Sequence, residues 1–259
     1  MSSERVRFER DGDVGLLTLA DPPLNLFGRE LMGDLDKALA RAESEDIRAL
    51  LVSAEGELFT GGADVNVFHG LTPEGADEFT AQLLDVTHRI EGLPFPVLAS
   101  VHGLCLTAGF ELALACDMIW ASESARFGKI EIVLGLTPLM GGTQRVAERS
   151  GPARARELVM SGGLYEAATL ERWNVINRVV PDADLAAKSL SFAKRLAAGP
   201  TVANAATKRV VRAFLEHGVR GADERVAAIS SPLFASEDLQ RAVETFLEEG
   251  PGKATFEGR

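Results

Sequence analysis

The chain has few of the features that mark exported or membrane proteins. Its 259 residues contain only two cysteines, Cys105 and Cys116, and both lie in apolar surroundings. Two such cysteines do not build a disulfide framework, and they fit a reducing cytoplasm. No run of 18 apolar residues occurs, and residues 1–7 contain no apolar core of a secretory signal. We therefore expect a cytoplasmic protein that makes no membrane contact.

Positive charge is also scarce. The chain has 27 Lys and Arg against 38 Asp and Glu, which gives a net charge of −11. A chain this acidic is a poor binder of nucleic acid, because phosphate backbones are held by clustered cations. Any anionic ligand would have to be held by locally placed cations and by helix N-termini.

The motifs of several enzyme classes are missing. The sequence has no Walker A loop, no G-x-G-x-x-G after a predicted strand, no G-x-S-x-G and no H-E-x-x-H. Its four histidines lack metal-ligand spacing, so no metal site is expected. Cys105 has no basic residue near it in sequence, which favours a core residue over a nucleophile.

Strand and helix patterns alternate through the first two thirds of the chain. Strand patterns cover residues 14–19, 47–53, 96–101 and 118–121, and helical patterns cover residues 30–43, 76–90 and 110–116. This alternation, with glycine turns between elements, predicts an α/β fold of stacked ββα units. Only helical patterns follow residue 184, over residues 186–198, 201–217, 222–229 and 238–249. We divide the chain into a core, 1–195, and a helical region, 196–259, close to Gly199-Pro200.

One segment combines a glycine turn with a carboxylate. The strand pattern over residues 96–101 leads to Thr107-Ala108-Gly109, and an almost wholly apolar helix is predicted from Phe110. The start of a helix directs free N–H groups and the positive end of its dipole at a nearby anion. Glu111 lies beside these groups, an arrangement that suits chemistry at a carbonyl. Taken alone, a strand, a glycine turn and a helix are more often only structural.

Two further segments favour the functional interpretation. Residues 57–65 contain a second glycine turn, Gly61-Gly62, which is predicted to free backbone N–H groups. Residues 125–145 place a second carboxylate, Glu131, in an apolar loop, followed by a Gly-Gly pair that opens another helix. Either glutamate by itself is more simply a dipole-stabilising or solvated acid. Beside two such turns, both become candidates for acid/base catalysis.

These segments resemble the crotonase, or enoyl-CoA hydratase/isomerase, superfamily. The family's G-A-D turn is similar to residues 62–64, its E-L-A-x-x-C-D signature to residues 103–117, and its pattern from F-G-x-x-E to G-G-T-Q-R to residues 127–145. The resemblance covers nearly the whole chain. It implies an α/β fold, a crotonase-like spiral of ββα units with a helical C-terminal trimerisation region. It also implies an acyl-CoA substrate, with coenzyme A entering as part of the thioester and no separate cofactor.

The resemblance implies roles for individual residues. The backbone N–H groups of Ala63 and Ala108 would hold the thioester oxygen, and Glu111 and Glu131 would exchange protons with water and the acyl chain. Further substrate contacts are implied at Gly62, Asp64, Val65, Gly109, Leu136 and Gly141. Contacts with coenzyme A are implied at Leu24, Asn25, Arg29, Phe246 and Lys253. Several basic residues common in the family are missing here, so these last contacts depart from the usual pattern.

The presence of both glutamates favours reversible addition of water to a 2-enoyl-CoA. Members of the superfamily that catalyse other reactions often lack one of the pair. An enoyl-CoA isomerase or another acyl-CoA enzyme stays an alternative, as does a non-catalytic acyl-CoA-binding protein. The C-terminal helices carry an apolar stripe that needs a surface to pack on, formed by Val210, Val211, Phe214 and Leu215. The resemblance implies that neighbouring subunits supply it, in a homotrimer or homohexamer.

Overall fold

The computed structural model describes residues 4–259, so the first three residues of the segment expected to lack a secretory signal lie outside it. Strands and helices alternate as far as Val180, and helices alone follow. The strands are β1 Val6–Asp11, β2 Val14–Leu19, β3 Ala49–Ala54, β4 Val97–Val101, β5 Leu104–Leu106, β6 Met118–Ser122, β7 Arg126–Gly128, β8 Leu164–Glu166 and β9 Arg178–Val180. The α-helices are α1 Arg29–Ser44, α2 Pro73–Gly92, α3 Thr107–Ala115, α4 Gly142–Ser150, α5 Pro152–Ser161, α6 Ala167–Arg172, α7 Leu185–Ala197, α8 Thr201–Ser230 and α9 Glu237–Glu249.

The strands form two sheets. The larger has the order β1-β2-β3-β4-β6-β9, in which β1 and β2 are antiparallel and the other neighbours are parallel. Strand β4 is buried along its whole length, as expected for a parallel strand covered on both faces. The smaller sheet has the order β5-β7-β8. The chain passes from the larger sheet to the smaller one between β4 and β5. Helix α3 begins directly after β5.

Helix α3 occupies the interior of the molecule. All nine of its residues are buried, and it packs against helices α2 and α4 and strands β5, β6 and β7. Its sequence is apolar all round because it has no solvent-facing side. We predicted that it begins at Phe110, and this boundary is wrong: the helix begins at Thr107, directly after β5. The residues assigned to a preceding turn are therefore its first turn.

The C-terminal helices divide into two groups. Helix α7 belongs to the core, because Ala193 and Ala197 pack with Trp120 of the larger sheet. The predicted division between residues 195 and 196 falls within this helix. Helix α8 runs over the two segments predicted as separate helices, with a break in helical geometry at Gly218, where φ is +69°. Among residues 4–259, none of the helices has both the length and the apolar character that a membrane crossing requires.

Candidate active site

Glu111 is a carboxylate inside an apolar helix. Its side chain is 2% exposed, and its backbone lies one turn into α3. A charge buried this deeply requires partners that replace water. Oε1 accepts hydrogen bonds from the backbone N–H groups of Gly142, at 2.6 Å, and Met140, at 3.1 Å. The carboxylate therefore faces the positive end of α4.

The second partner of Glu111 is a fully buried lysine, Lys129. This residue follows β7 directly and is 0% exposed. Its Nζ lies 3.3 Å from Glu111 Oε2 and 3.2 Å from Glu131 Oε1, and it donates a hydrogen bond of 3.0 Å to the carbonyl oxygen of Thr107. Lysine is almost never fully buried unless it is paired. One ammonium group therefore lies between the two carboxylates that the sequence identified.

Glu131 opens a single 3-10 turn, Glu131–Leu134, rather than lying in an irregular loop. The N–H of Leu136 donates to the carbonyl oxygen of Glu131 at 3.1 Å and closes the segment back onto it. Oε1 of Glu131 is held by Lys129, whereas Oε2 is buried and has no hydrogen-bond partner among residues 4–259. A buried oxygen of this kind is available to exchange a hydrogen bond or a proton with a ligand or a water molecule.

Burial raises the pKa of the Glu111 carboxyl above its ordinary value, and the nearby negative charge of Glu131 adds to the increase. The Lys129 ammonium and the Gly142 N–H oppose it, because both stabilise the ionised form. A carboxyl group with a raised pKa takes up and releases a proton closer to neutral pH than a solvated one. This environment suits a general acid or base.

The glycine turn after β3 lies against the start of α3. We expected this turn to leave its N–H groups free, and that expectation is wrong, because each finds an acceptor within the chain. The pairs are Gly61 N with Leu24 O, Gly62 N with Thr60 Oγ1, Ala63 N with Thr107 Oγ1 and Asp64 N with Phe27 O. The bond from Ala63 joins the two predicted N–H turns through a side chain, and its length is 2.8 Å.

Thr107 occupies the position where the two turns meet. Its φ is +42°, in the left-handed region that a β-branched residue rarely adopts, and it is 8% exposed. Gly62 has φ +101°, and a Cβ atom there would lie 2.1 Å from Thr107 Oγ1. Ala108, the next residue, lies in the first turn of α3, where no preceding helical carbonyl can accept its N–H. Both predicted N–H positions therefore border the Thr107 side chain.

Comparison with known proteins identifies the family. Residues 9–259 match the enoyl-CoA hydratase/isomerase family. The chain belongs to this family. A Rhizobium meliloti protein named "Probable enoyl-CoA hydratase" is 34% identical over 100% of both chains, and the "Short-chain-enoyl-CoA hydratase" of Clostridium acetobutylicum is 28% identical over 96% of this chain and 97% of its own. The crystal structure of an enoyl-CoA hydratase subunit from Geobacillus kaustophilus has a TM-score of 0.92 at 32% identity, covering 99% of this chain and 100% of that one. The crotonase-type fold predicted from the motifs is confirmed.

The other positions implied by the family resemblance lie around this centre with different surroundings. Gly109 is packed in α3 so that a Cβ atom would lie 2.0 Å from Thr60 Cγ2, and Gly141 adopts φ +90° at the start of α4. Asp64 caps the 3-10 turn that follows it by accepting the N–H of Asn66 at 3.0 Å. Val65 is exposed, and Leu136 is half-buried. Gly109, Gly141 and Asp64 therefore have structural roles, in close packing, in a helix start and in a cap.

The residues predicted to hold coenzyme A separate into two groups. A cleft of about 570 Å³ lies beside the Ala63 turn, and Leu24, Arg29 and Asp64 are part of its lining. Asn25 faces the interior instead: it is 0% exposed, and its side-chain amide donates to three backbone carbonyls. No side-chain atom of Asn25 is left for a ligand, so its predicted contact is corrected to a structural role.

Two other predicted positions lie outside that cleft. Phe246 and Lys253, in α9 and the tail that follows it, do not line it. Cys105 also has no part in the site, because burial raises the pKa of its thiol well above the usual range and disfavours a nucleophilic thiolate. Within residues 4–259, no group of three His, Cys, Asp or Glu side chains is placed to hold a metal ion.

The sequence did not identify Lys129 or Thr107 as functional residues. Lys129 stands in an apolar stretch between Gly128 and Ile130, and a lysine in such a stretch was a signal of a buried, paired cation. Thr107 carries no comparable signal, since threonine at the start of a helix is ordinary. Its contact with Ala63 spans 44 positions of the chain, so only the fold reveals it.

Proposed function

We propose that the protein is an enoyl-CoA hydratase, which adds water reversibly to a 2-enoyl-CoA and gives a 3-hydroxyacyl-CoA. The observation that carries the proposal is the pair Glu111 and Glu131 on either side of the buried Lys129 ammonium, beside the start of α3. The names of the Rhizobium and Clostridium relatives agree with this activity.

The proposed reaction uses the two carboxyl groups for complementary proton transfers. One of them, ionised, takes a proton from water as the water oxygen bonds to the β-carbon. The other, protonated, delivers its proton to the α-carbon, so that the net result is addition of H and OH across the double bond. Negative charge builds up on the thioester oxygen meanwhile, and hydrogen-bond donors at the start of α3 stabilise it. The acids and donors belong to the protein, and the coenzyme A arrives with the substrate.

The cleft beside the Ala63 turn is the proposed place for the coenzyme A portion. Asp64 of this turn is part of the cleft's lining, and so are two cations, Arg5 and Arg29. Arg5 is already paired with Asp21 at 3.0 Å, whereas Arg29 makes no ion pair among residues 4–259. Arg29 is therefore the cation we expect to meet a phosphate group, which fits the scarcity of basic residues in the sequence.

The test is hydration of crotonyl-CoA, followed by the loss of its 2-enoyl absorbance. Glu111→Gln and Glu131→Gln should each lower kcat by about a hundredfold or more, the usual scale for loss of a general acid or base. Glu224→Gln, at a solvent-exposed position of α8, is the matched control and should leave the rate unchanged. Unchanged rates in both active-site variants would refute the assignment.

The same protein should be incubated with a 3-enoyl-CoA. Accumulation of the 2-enoyl isomer before any hydrated product would replace the hydratase assignment with an isomerase. Binding of acyl-CoA without turnover of either substrate would show a non-catalytic acyl-CoA-binding protein.

A further inference from the structure

We infer that the hydroxyl group of Thr107 is the donor that meets the thioester oxygen, and that the N–H of Ala63 acts through it. The inference rests on the proposed function and changes the composition of its oxyanion hole. In place of two backbone N–H groups, the hole would consist of a side-chain hydroxyl and the N–H of Ala108.

The first observation is that Thr107 Oγ1 occupies the acceptor side of the Ala63 N–H. The two atoms lie 2.8 Å apart, a normal hydrogen-bond length. Gly62 contributes space for this contact, because a Cβ atom there would overlap the hydroxyl oxygen at 2.1 Å. A substrate oxygen could reach the Ala63 N–H only by displacing the hydroxyl from a position in which the turn holds it.

The second observation is that the hydroxyl hydrogen is unused. A threonine hydroxyl donates one hydrogen bond and accepts two. Thr107 Oγ1 accepts from Ala63, but within residues 4–259 it donates to no acceptor, although the residue is 8% exposed. Accepting a hydrogen bond also makes a hydroxyl a stronger donor, because consecutive hydrogen bonds polarise one another. The group is thus a buried donor, polarised by Ala63 and left with one hydrogen for a ligand.

The neighbouring donor, the N–H of Ala108, is strengthened by a different contact. The carbonyl of Thr107 and the N–H of Ala108 belong to one peptide group, and the carbonyl oxygen accepts from Lys129 Nζ at 3.0 Å. The positive charge of the ammonium beside the carbonyl oxygen draws electron density from the peptide nitrogen. This makes the N–H of Ala108 a better donor. Thr107 therefore connects two polarised donors on consecutive residues, its own hydroxyl and the N–H of Ala108.

The conformation of Thr107 fits this role. A threonine with φ +42° is strained, and such strain persists where the surrounding structure enforces it, commonly at functional sites. The Ala63 N–H and the Lys129 ammonium both hold the residue in this conformation, one through its hydroxyl and the other through its carbonyl.

The first experiment compares Thr107→Ala with Thr107→Ser. Thr107→Ala removes the hydroxyl. In the proposed geometry the Ala63 N–H is then one hydrogen-bond length too far from the thioester oxygen to replace it. The substitution should lower kcat by about a hundredfold, the scale for loss of one oxyanion donor. Thr107→Ser returns the hydroxyl and should recover most of that loss. Thr207→Ala, at an exposed position, is the control for the substitution itself and should leave the rate unchanged.

Binding of a 2,4-dienoyl-CoA gives a measurement that would not change if the role of Thr107 were merely structural. Its absorption shifts to longer wavelength when the carbonyl is polarised, so the shift should shrink in Thr107→Ala and return in Thr107→Ser. A Thr107→Ala enzyme as fast as the wild type, with an undiminished shift, would overturn the inference. It would mean that the hydroxyl only fills space in front of Ala63.

A crystal structure of the wild-type protein with a saturated acyl-CoA decides the matter even if Thr107→Ala does not fold. We expect the thioester oxygen within hydrogen-bond distance of Thr107 Oγ1 and Ala108 N, with Oγ1 still bonded to Ala63 N. An oxygen bonded directly to Ala63 N would refute the inference. This outcome is independent of turnover: a protein that hydrates no enoyl-CoA but shows the Thr107 contact loses the proposed function and keeps the inference.

Discussion

Lys129 controls the charge of the candidate site at the scale of single residues. Glu111 is faced by this lysine and by Glu131, and by the backbone N–H groups of Met140 and Gly142. Burial and Glu131 raise the pKa of Glu111, and Lys129 is the main influence that lowers it. The lysine thus limits how far burial raises the pKa of Glu111.

Replacing Lys129 by Met should move the pH dependence of activity. Without the ammonium, the pKa of Glu111 rises further. The limb of the kcat/KM profile that reports Glu111 should therefore move to higher pH. This is the acid limb if the reaction needs ionised Glu111, and the alkaline limb if it needs the protonated acid. The measurement is the pH profile of kcat/KM for wild type and Lys129→Met, with Lys37→Met, an exposed lysine of α1, as the control. A profile in which both limbs stay in place would show that Lys129 does not act on Glu111.

The sequence predicted part of this site. Glu111 and Glu131 were identified from their motifs, and the structure places both within ion-pair distance of Lys129. Thr107 and Lys129 did not follow, because their importance depends on contacts between distant parts of the chain. Asn25 was assigned to the ligand from the family resemblance alone, which carries no information on its burial in this chain. The structure uses its amide to hold three carbonyls of the adjacent segment instead.

At the scale of secondary structure, helix α4 begins at two glycines, Gly141 and Gly142, which have no side chains. Gly142 lies against both active-site groups, and a Cβ atom there would be 2.5 Å from Lys129 Cε and 2.8 Å from Glu111 Cγ. The Gly-Gly pair at this helix start therefore has a steric reason as well as an electrostatic one. It lets the helix N-terminus approach the Glu111 carboxylate closely enough for the 2.6 Å hydrogen bond.

Gly142→Ala should displace Lys129 and Glu111 from each other. We expect a loss of about 1–3 kcal/mol in the free energy of unfolding, the usual cost of overpacking a core. A larger proportional effect is expected on kcat, at least about tenfold, because small displacements of reacting groups are costly. Urea unfolding and crotonyl-CoA hydration measure the two quantities. Gly33→Ala, at a helical position of α1 with no atom within 4 Å of the added Cβ, is the matched control. A fully active Gly142→Ala enzyme would contradict the described packing.

Long elements followed the sequence patterns more closely than short ones. Strand β2 has the predicted bounds, and helix α1 differs by one residue at each end. The three-residue strands β5, β7, β8 and β9 were not predicted, because three residues are too few to display an alternation. Strand β1 was missed because four of its six residues are charged, and its partner β2 supplies the pairing that makes it a strand. All three strands of the smaller sheet, β5, β7 and β8, were among those missed, so the sequence did not show that α3 begins directly after β5.

At the scale of the whole molecule, the C-terminal helices present apolar side chains to solvent. Their exposed large side chains are Val202, Val211, Phe214, Leu215, Val219, Val226, Phe234, Val243, Phe246 and Leu247. The other face of α8 buries small residues, including Ala206 and Ala213. An apolar surface of this extent is typical of a contact with another subunit. The chain's own core does not cover it.

We predict a homotrimer or a dimer of trimers, assembled through this surface. Light scattering at micromolar concentration should give three or six times the 27.7 kDa of one chain. Phe214→Glu combined with Leu215→Glu should lower the mass, because each places a charge in the contact. Lys188→Glu, on the exposed side of α7, should leave the mass unchanged. A fully active monomeric wild-type protein would contradict the prediction.

The buried lysine also bears on the chemical durability of an acyl-CoA enzyme. A thioester is an acylating agent, and an uncharged amine that attacks it forms an amide. Lys129 directs Nζ at three oxygens, one from Thr107 and one from each glutamate, and an ammonium group held in this way has no lone pair to attack a carbonyl. The contacts that organise the site would thus also protect it from self-acylation. They would keep the lysine next to a reactive thioester while preventing it from forming an amide.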